Sequence, residues 1–268
     1  MKALLLGALL SALIGFAAYK KRALSTSGFM AAVVLGTVIY LCGGLLFWLT
    51  MIAFFISSSL LTFIKSSKKE AAQQLNEKGG QRDAVQVFAN GAPGMAAAIL
   101  FWFYQNPVFL IIFATSFAAS NADTWASEIG VLNRKPPVSI IGFKPMEAGT
   151  SGAVSPLGMA AALAGALFIA LVFCLAGGLV WKLPVLRLSW VLIITISGFL
   201  GCLTDSVLGA VVQAQYRCIS CGRLTEKTEH HGEAAVLVKG FKIMNNDVVN
   251  FLSGMAAGLL GSIFFNLL

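Results

Sequence analysis

Between Phe29 and Ile64 the chain runs for 36 residues without a charged side chain. A transmembrane helix needs about 20 apolar residues, so this stretch is too long for one ordinary crossing. Two crossings joined by a tight turn resolve the conflict, and Gly43-Gly44 supplies the turn chemistry. The same character continues along the chain. Of its 268 residues, 58% are hydrophobic and 11% charged, which argues against a soluble globular domain. Runs such as MAAALAGALFIALVFCLAGGLV lack the alternation of a transmembrane β-barrel.

The expected fold class is therefore all-α: a polytopic transmembrane bundle of about eight helices, or seven if the long stretch is not split. The helices are placed at about 3–19, 28–43, 44–64, 84–104, 107–129, 151–180, 188–214 and 245–267. One membrane domain takes in residues 1–268, with cytoplasmic loops at about 20–27, 65–83, 130–150 and 215–244. The N-terminal run resembles a signal peptide with Ala17 and Ala18 near a cleavage point, but Lys20, Lys21 and Arg22 follow the apolar segment, which favours a retained first helix.

The positive-inside rule tests this division. With the N-terminus outside, the cytoplasmic loops hold Lys20, Lys21, Arg22, Lys65, Lys68, Lys69, Lys78, Arg82, Arg134, Lys135, Lys144, Arg217, Arg223, Lys227, Lys239 and Lys242. Only Lys2, Lys182 and Arg187 remain outside. The net charge of +8 is thus a topology signal, dispersed over short loops, and it does not form a nucleic-acid-binding face. The arrangement implies a multi-pass protein of a prokaryotic plasma membrane. It also gathers the polar residues at cytoplasmic helix ends, leaving Gln105-Asn106 as the one notable polar pair outside. Residues 66–82, SSKKEAAQQLNEKGGQR, read as a soluble, mobile loop.

Several constellations carry chemistry. Arg82, Gln86 and Asn90, at i, i+4 and i+8, form one helical stripe leading into Gly91-Ala92-Pro93-Gly94. They line either a ligand site or a kinked helix entry. In ASNADTWASEIG, Asp123 shares a face with Ser127, whereas Glu128 is rotated roughly 140° from Asp123. Either the helix loosens there or the carboxylates serve different partners. Such hard oxygen donors suit Mg²⁺, although pairing with Arg134 and Lys135 is the plainer alternative. Lys144 precedes Gly149-Thr150-Ser151-Gly152, placed at the start of the sixth helix, where backbone N–H groups would face an anion. Asp205, deep in the seventh segment, needs a cation, a proton or a hydrogen-bond network. Asn246 and Asn250 lie one turn apart on the last helix beside Asp247, and an N-cap accounts for only one polar residue there.

Five cysteines, with Cys42, Cys174 and Cys202 inside apolar segments, do not make a disulfide framework. Cys218-x-x-Cys221-Gly has the spacing of a structural zinc knuckle, with His230 and His231 nearby, and equally of a free thiol pair.

The ordered motifs QVFANG, ADTWASEIG, GTSGAVSPLG, TDSVLGAVVQ and NNDVVNFLSG span nearly the whole chain. They resemble an integral membrane family, once known only as a domain of unknown function, that includes plant phytyl-phosphate kinase. Phytol and dolichol kinases look like more distant relatives with a similar acidic-helix and Gly-Ser arrangement. The resemblance implies phosphorylation of an isoprenoid monophosphate to the diphosphate by a nucleoside triphosphate, with CTP one option. The family motifs fall on Arg82, Gln86, Asn90, Gly91, Asp123, Ser127, Glu128, Gly149, Thr150, Ser151, Gly152, Asp205, Ser206, Gln213, Asn245, Asn246 and Asn250. Eukaryotic members carry Asp where this chain has Met244, and they lack the CxxC, which argues against catalytic cysteines.

An enzyme of this kind needs positioning and charge neutralisation more than covalent chemistry. Asp123, Glu128 and Asp205, with Asp247, are the expected Mg²⁺ ligands, and Arg82, Lys144 and residues 149–152 the expected phosphate cradle. The prenyl tail would lie between apolar helices. The alternative is a transporter or flippase for a phosphorylated or lipidic substrate, since intramembrane Asp and broken Gly-rich helices also mark transporters. Transport predicts polarity near the midplane and on both sides; here it gathers toward one.

Overall fold

A computed structural model describes residues 1–64, 66–73, 80–181 and 187–267. Lys65, Lys78 and Lys182, used above as topology signals, lie outside the described residues. The first helix, α1 (Lys2–Lys20), packs against α2 (Thr26–Phe63) through small residues. A Cβ on Gly7 would meet the Tyr40 ring and one on Gly15 the Phe29 ring, and Trp48 Nε1 donates to Ser11 Oγ at 3.0 Å. The N-terminal segment thus packs closely on α2.

The 38 residues of α2 would extend roughly 57 Å if straight, nearly twice the hydrocarbon thickness. They are not straight. The Ser25 N–H donates to the Arg82 carbonyl at 3.0 Å, while the Arg82 Nη1 donates to Ser59 Oγ at 2.9 Å. One residue therefore touches both ends of α2, and a Cβ on Gly36 would lie 3.2 Å from Met51 Cε. The reversal is at Gly44, whose φ of 61° and ψ of −153° are open essentially only to glycine. The 36-residue uncharged run is a membrane hairpin, and the two arms of α2 cross separately.

A short helix α3 (Ser67–Gln73) follows, in the segment expected to be a loop, of which residues 74–79 lie outside the described residues. Next come α4 (Ala84–Tyr104) and α5 (Val108–Gly130). After a paired β1 (Val138–Ser139) and β2 (Ala153–Val154), α6 (Pro156–Trp181) and α7 (Leu188–Val211) cross the bundle. Five short strands come before the last helix. They are β3 (Gln215–Arg217), β4 (Leu224–Thr225), β5 (Glu229–His230), β6 (Glu233–Ala234) and β7 (Val236–Lys239). The chain ends in α8 (Asn246–Leu267). The membrane part is all-helical, as expected. The 215–244 loop is not featureless: β4, β3 and β7 form one antiparallel sheet, and β5 and β6 a hairpin.

The most buried span is α5, packed on by α2, α4, α6, α7 and α8. Lipid tails are as apolar as leucine, so packing between helices rests on small residues that let backbones approach. A Cβ on Gly198 or Gly201 of α7 would meet Ala118 or Ala119 of α5, and one on Gly165 of α6 would reach the Asn121 carbonyl and Trp125. Asn121 is fully buried within this packing. Its Nδ2 donates to the Gly165 carbonyl at 2.8 Å, and its Oδ1 accepts from Ser57 and Ser58. Leucines on the outside of α1, α6 and α8 stay exposed to what the sequence marks as lipid.

The two ends of the bundle differ. At the end holding the α2 turn, Phe47 stacks on Phe113 at 4.1 Å, and Trp181 lies 5.5 Å from Phe101 and 5.9 Å from Phe47. These aromatics plug that end. The opposite end is where polar side chains collect.

Candidate active site

A cavity of ≈ 340 Å³ opens at this polar end. Each wall is set by local chain chemistry. Asp83 caps α4 reciprocally: its Oδ1 accepts from the Gln86 N–H at 2.9 Å, and Gln86 Oε1 accepts from the Asp83 N–H at 3.1 Å. This capping box fixes the start of α4 and points the Arg82, Gln86 and Asn90 stripe at the cavity. The Arg82 backbone is tied to Ala23 and Ser25. Its guanidinium also lies over the Phe55 ring at 5.8 Å. Burial lowers the Arg82 pKa and the Glu128 carboxylate opposes that shift; a guanidinium is basic enough to keep its charge in proteins. Asn90 Nδ2 donates to the Gln86 carbonyl at 3.0 Å.

The fifth helix is continuous through Gly130, so its two carboxylates serve different partners. Glu128 accepts from Thr62 Oγ1 at 2.7 Å on Oε1 and pairs with Lys69 Nζ at 2.8 Å on Oε2. Its cation is therefore Lys69, delivered by α3, and not Arg134 or Lys135. Both oxygens of Glu128 thus have a partner, one a hydroxyl and one an ammonium. Lys69 Nζ also donates to the Leu61 carbonyl at 2.7 Å, which fastens the end of α2. Asp123 and Ser127 line the cavity.

The Gly-Thr-Ser-Gly stretch differs from expectation. The sixth helix begins at Pro156 and not at residue 151, and Ser155 Oγ accepts from the Gly158 N–H at 3.1 Å as its cap. Residues 149–152 form a turn, with Gly149 at φ 89° and Gly152 at φ 80°. Its Thr150 N–H donates to the Glu147 carbonyl at 3.2 Å. The turn still borders the cavity through Gly149, Thr150 and Gly152, but it is not a helix N-terminus. Gly152 packs on Ala210, where a Cβ would collide with backbone. Ser151 points away, with its Oγ donating to Glu226 Oε1 at 2.5 Å.

From the far wall come Asp205 and Ser206 of α7 and Asn246, Asp247 and Asn250 of α8. Asp205 Oδ2 is buried with no hydrogen-bond partner among the described residues. Asn245 is the helix cap, its Oδ1 accepting from the Val248 N–H at 3.1 Å. Gln213 is buried and donates from Nε2 to Glu226 Oε1 at 2.8 Å, so it supports the cavity from behind. Two expected residues lie elsewhere. Lys144 is solvent-exposed on the β1–β2 connection, outside the cavity, because its carbonyl pairs with the Ser139 N–H and leaves the side chain outward. Gly91 packs on Leu35 and borders a separate apolar cavity.

That second cavity, ≈ 60 Å³, lies among α1, α2, α4 and α5, walled by Ile14, Leu35, Met51, Phe54 and Phe117 among others. Arg82, Gln86 and Asn90 border both cavities. Among the cavity residues not proposed for the site from sequence are Thr62, Lys69 and Glu226. Glu226 is carried on the 215–244 loop, directly after β4.

The donor set bears on whether magnesium fits. Asp123, Asp205, Asp247 and Glu226 supply hard oxygens, and the unpartnered Asp205 Oδ2 is an atom a cation would satisfy. Among the described residues no three carboxylates converge as a closed cage. Mg²⁺ commonly uses one or two carboxylates and completes its shell with water and substrate phosphates. The described residues converge on a metal-ligand triplet elsewhere: Cys218, Cys221 and His230, with ligand atoms within 4.8 Å of one another.

Fold and cavity together define a class: a multi-pass helical membrane protein with one polar cavity at one end of its bundle. The chain belongs to the integral membrane protein DUF92 family, whose model matches residues 9–265. Protein PGR of Arabidopsis thaliana is 31% identical over 97% of this chain and 95% of its own length. Protein VTE6, chloroplastic, from the same plant is 30% identical over 86% of this chain, which spans 62% of VTE6. A membrane protein of Methanocaldococcus jannaschii is 28% identical over 92% of this chain and 87% of its own length. No solved structure matches.

Proposed function

We propose that this protein is a membrane-embedded prenyl-phosphate kinase that transfers a phosphoryl group from a nucleoside triphosphate, such as CTP, to a prenyl monophosphate such as phytyl or geranylgeranyl phosphate. The observation that carries this reading is the pair of cavities sharing Arg82, Gln86 and Asn90. A phosphorylated lipid has the same division: an anionic head for the polar cavity and an apolar tail whose first carbons would enter the gap among α1, α2, α4 and α5.

The residues take distinct roles. Arg82, charged and fixed at its backbone, holds the lipid phosphate where the cavities meet. Gln86 and Asn90 set its depth. Asp123 and Asp205, with Asp247 and Glu226, would hold Mg²⁺ beside the transferring group, and the ion would supply neutralisation of charge on the phosphate oxygens. A phosphate oxygen of the acceptor attacks the γ-phosphorus. The bond from that phosphorus to the β–γ bridging oxygen breaks, and the nucleoside diphosphate departs. The acceptor is largely ionised near neutral pH, so no strong general base is needed. With the cavity on the cytoplasmic side, as the basic residues suggest, the nucleotide is supplied from the cytoplasm of a prokaryotic cell and both termini lie outside.

The test is turnover by the purified protein in detergent, offering each prenyl monophosphate with Mg²⁺ and four nucleoside triphosphates, beside Asp123→Asn. Diphosphate formation lost in the variant supports the kinase. Binding of the lipid phosphate without product from any pair moves the assignment to transport.

A further inference from the structure

We propose that Cys218, Cys221 and His230 bind a zinc-type transition-metal ion, and that this ion clamps the extramembrane loop that carries Glu226 into the cavity. Cys218 and Cys221 flank the turn between β3 and β4, and His230 ends β5. Their ligand atoms lie within 4.8 Å of one another, with Cys221 Sγ 3.7 Å from His230 Nδ1. Tetrahedral zinc with its usual bond lengths separates a sulfur and a nitrogen ligand by ~3.5 Å, so the groups stand close to ligating geometry before any ion is added. Two sulfurs and an imidazole select zinc-type ions over the Mg²⁺ that suits the cavity. His231 stands beside the triplet as a further imidazole, its ring centroid 4.1 Å from that of His230.

The consequence follows from chain order. Bridging Cys221 to His230 closes a small loop that contains Glu226. Glu226 is held on its other side by Ser151 Oγ at 2.5 Å and Gln213 Nε2 at 2.8 Å. The strands around it have two to four residues each, and strands so short rarely hold a loop by themselves. A metal crosslink supplies the missing constraint, as in small metal-stapled domains.

The experiment uses the full chain, purified in detergent under reducing conditions with a tag free of histidine. Zinc content and cobalt-thiolate absorption are measured for the wild type, Cys221→Ser and His230→Ala, and tryptic cleavage after Arg223 and Lys227 is timed with and without chelator. The expected result is about one zinc per chain, with affinity at least ~10-fold weaker in both variants, and faster cleavage on chelation. Wild-type zinc content no greater than that of Cys221→Ser overturns the site. Bound zinc whose removal leaves cleavage unchanged overturns the clamp. That turnover also falls on chelation is expected only if the kinase reading holds; metal content and cleavage are read without turnover, so the two can fail separately.

Discussion

Replacing Glu128 by Gln separates two roles for a carboxylate on the cavity wall. Its side chain is 15% exposed and that of Lys69 is 5% exposed, with 2.8 Å between the charges. Removing one partner of a buried pair costs about 3–5 kcal/mol, because the other charge stays desolvated. Two contacts soften this: Lys69 Nζ keeps the Leu61 carbonyl, and a glutamine oxygen can still accept from Thr62. The expected loss for Glu128→Gln is therefore at the low end, about 2–3 kcal/mol. Lys69→Met alone strands the carboxylate and costs as much. The double variant leaves no unpaired charge, so it should recover part of both losses, with a coupling of ~1–3 kcal/mol. The assay is unfolding in detergent for all four proteins, with turnover measured in parallel. Glu128→Gln as stable as wild type, strictly additive losses and abolished turnover would together refute the ion-pair reading and return Glu128 to the metal.

Gly44→Ala should lose ~1–3 kcal/mol in the same unfolding assay, through backbone conformation alone, since a Cβ there meets nothing described within 4 Å. Unchanged stability would mean that the α2 turn tolerates an ordinary residue. Asp205→Asn should lower turnover by ~10²-fold or more and yet raise stability of the nucleotide-free protein by about 1 kcal/mol, because it replaces a buried carboxyl group one of whose oxygens has no partner among the described residues. A destabilised variant would show that Asp205 is held by partners. Gln213→Leu removes a bond to Glu226 from outside the cavity; it should lower kcat ~10-fold with little change in KM for the lipid, and a purely KM effect would argue that Glu226 contacts the lipid head.

What the sequence revealed and what it hid divide along physical lines. Apolar runs between charges locate the spans because lipid imposes one rule on every exposed residue. The α4, α5 and α8 ends agree within a residue for that reason, and Gly43-Gly44 was legible because no other feature could relieve so long an uncharged run. Residues 149–152 misled because glycine and serine serve helix starts and left-handed turns alike; the deciding fact is Ser155 capping α6, a local choice among several serines. Lys69 was hidden beside Lys68 in SSKKE. Nothing in the string tells which lysine turns inward to Glu128 and which reaches the Asn133 carbonyl. Glu226 was hidden for another reason: it enters the cavity from a loop whose path is set by pairing among β3, β4 and β7, strands too short to leave an alternating pattern in the sequence.

The contrast between the ends of the bundle bears on what the cavity does. A transporter must present its polar path to each side in turn, so both ends need groups that can hydrate. Here the far end is closed by Phe47, Phe101, Phe113 and Trp181, whose stacked rings offer a polar substrate almost nothing. Below them, fully buried Asn121 spends its amide on Gly165, Ser57 and Ser58, joining α2, α5 and α6 and not lining a passage. Opening that end would mean separating aromatics and breaking a satisfied buried network. Group transfer asks less. It needs one aqueous entrance for the nucleotide and a lateral apolar gap for a lipid tail, meeting at a fixed cation, and Arg82 occupies that position with its backbone tied to α1–α2 and its guanidinium to Ser59.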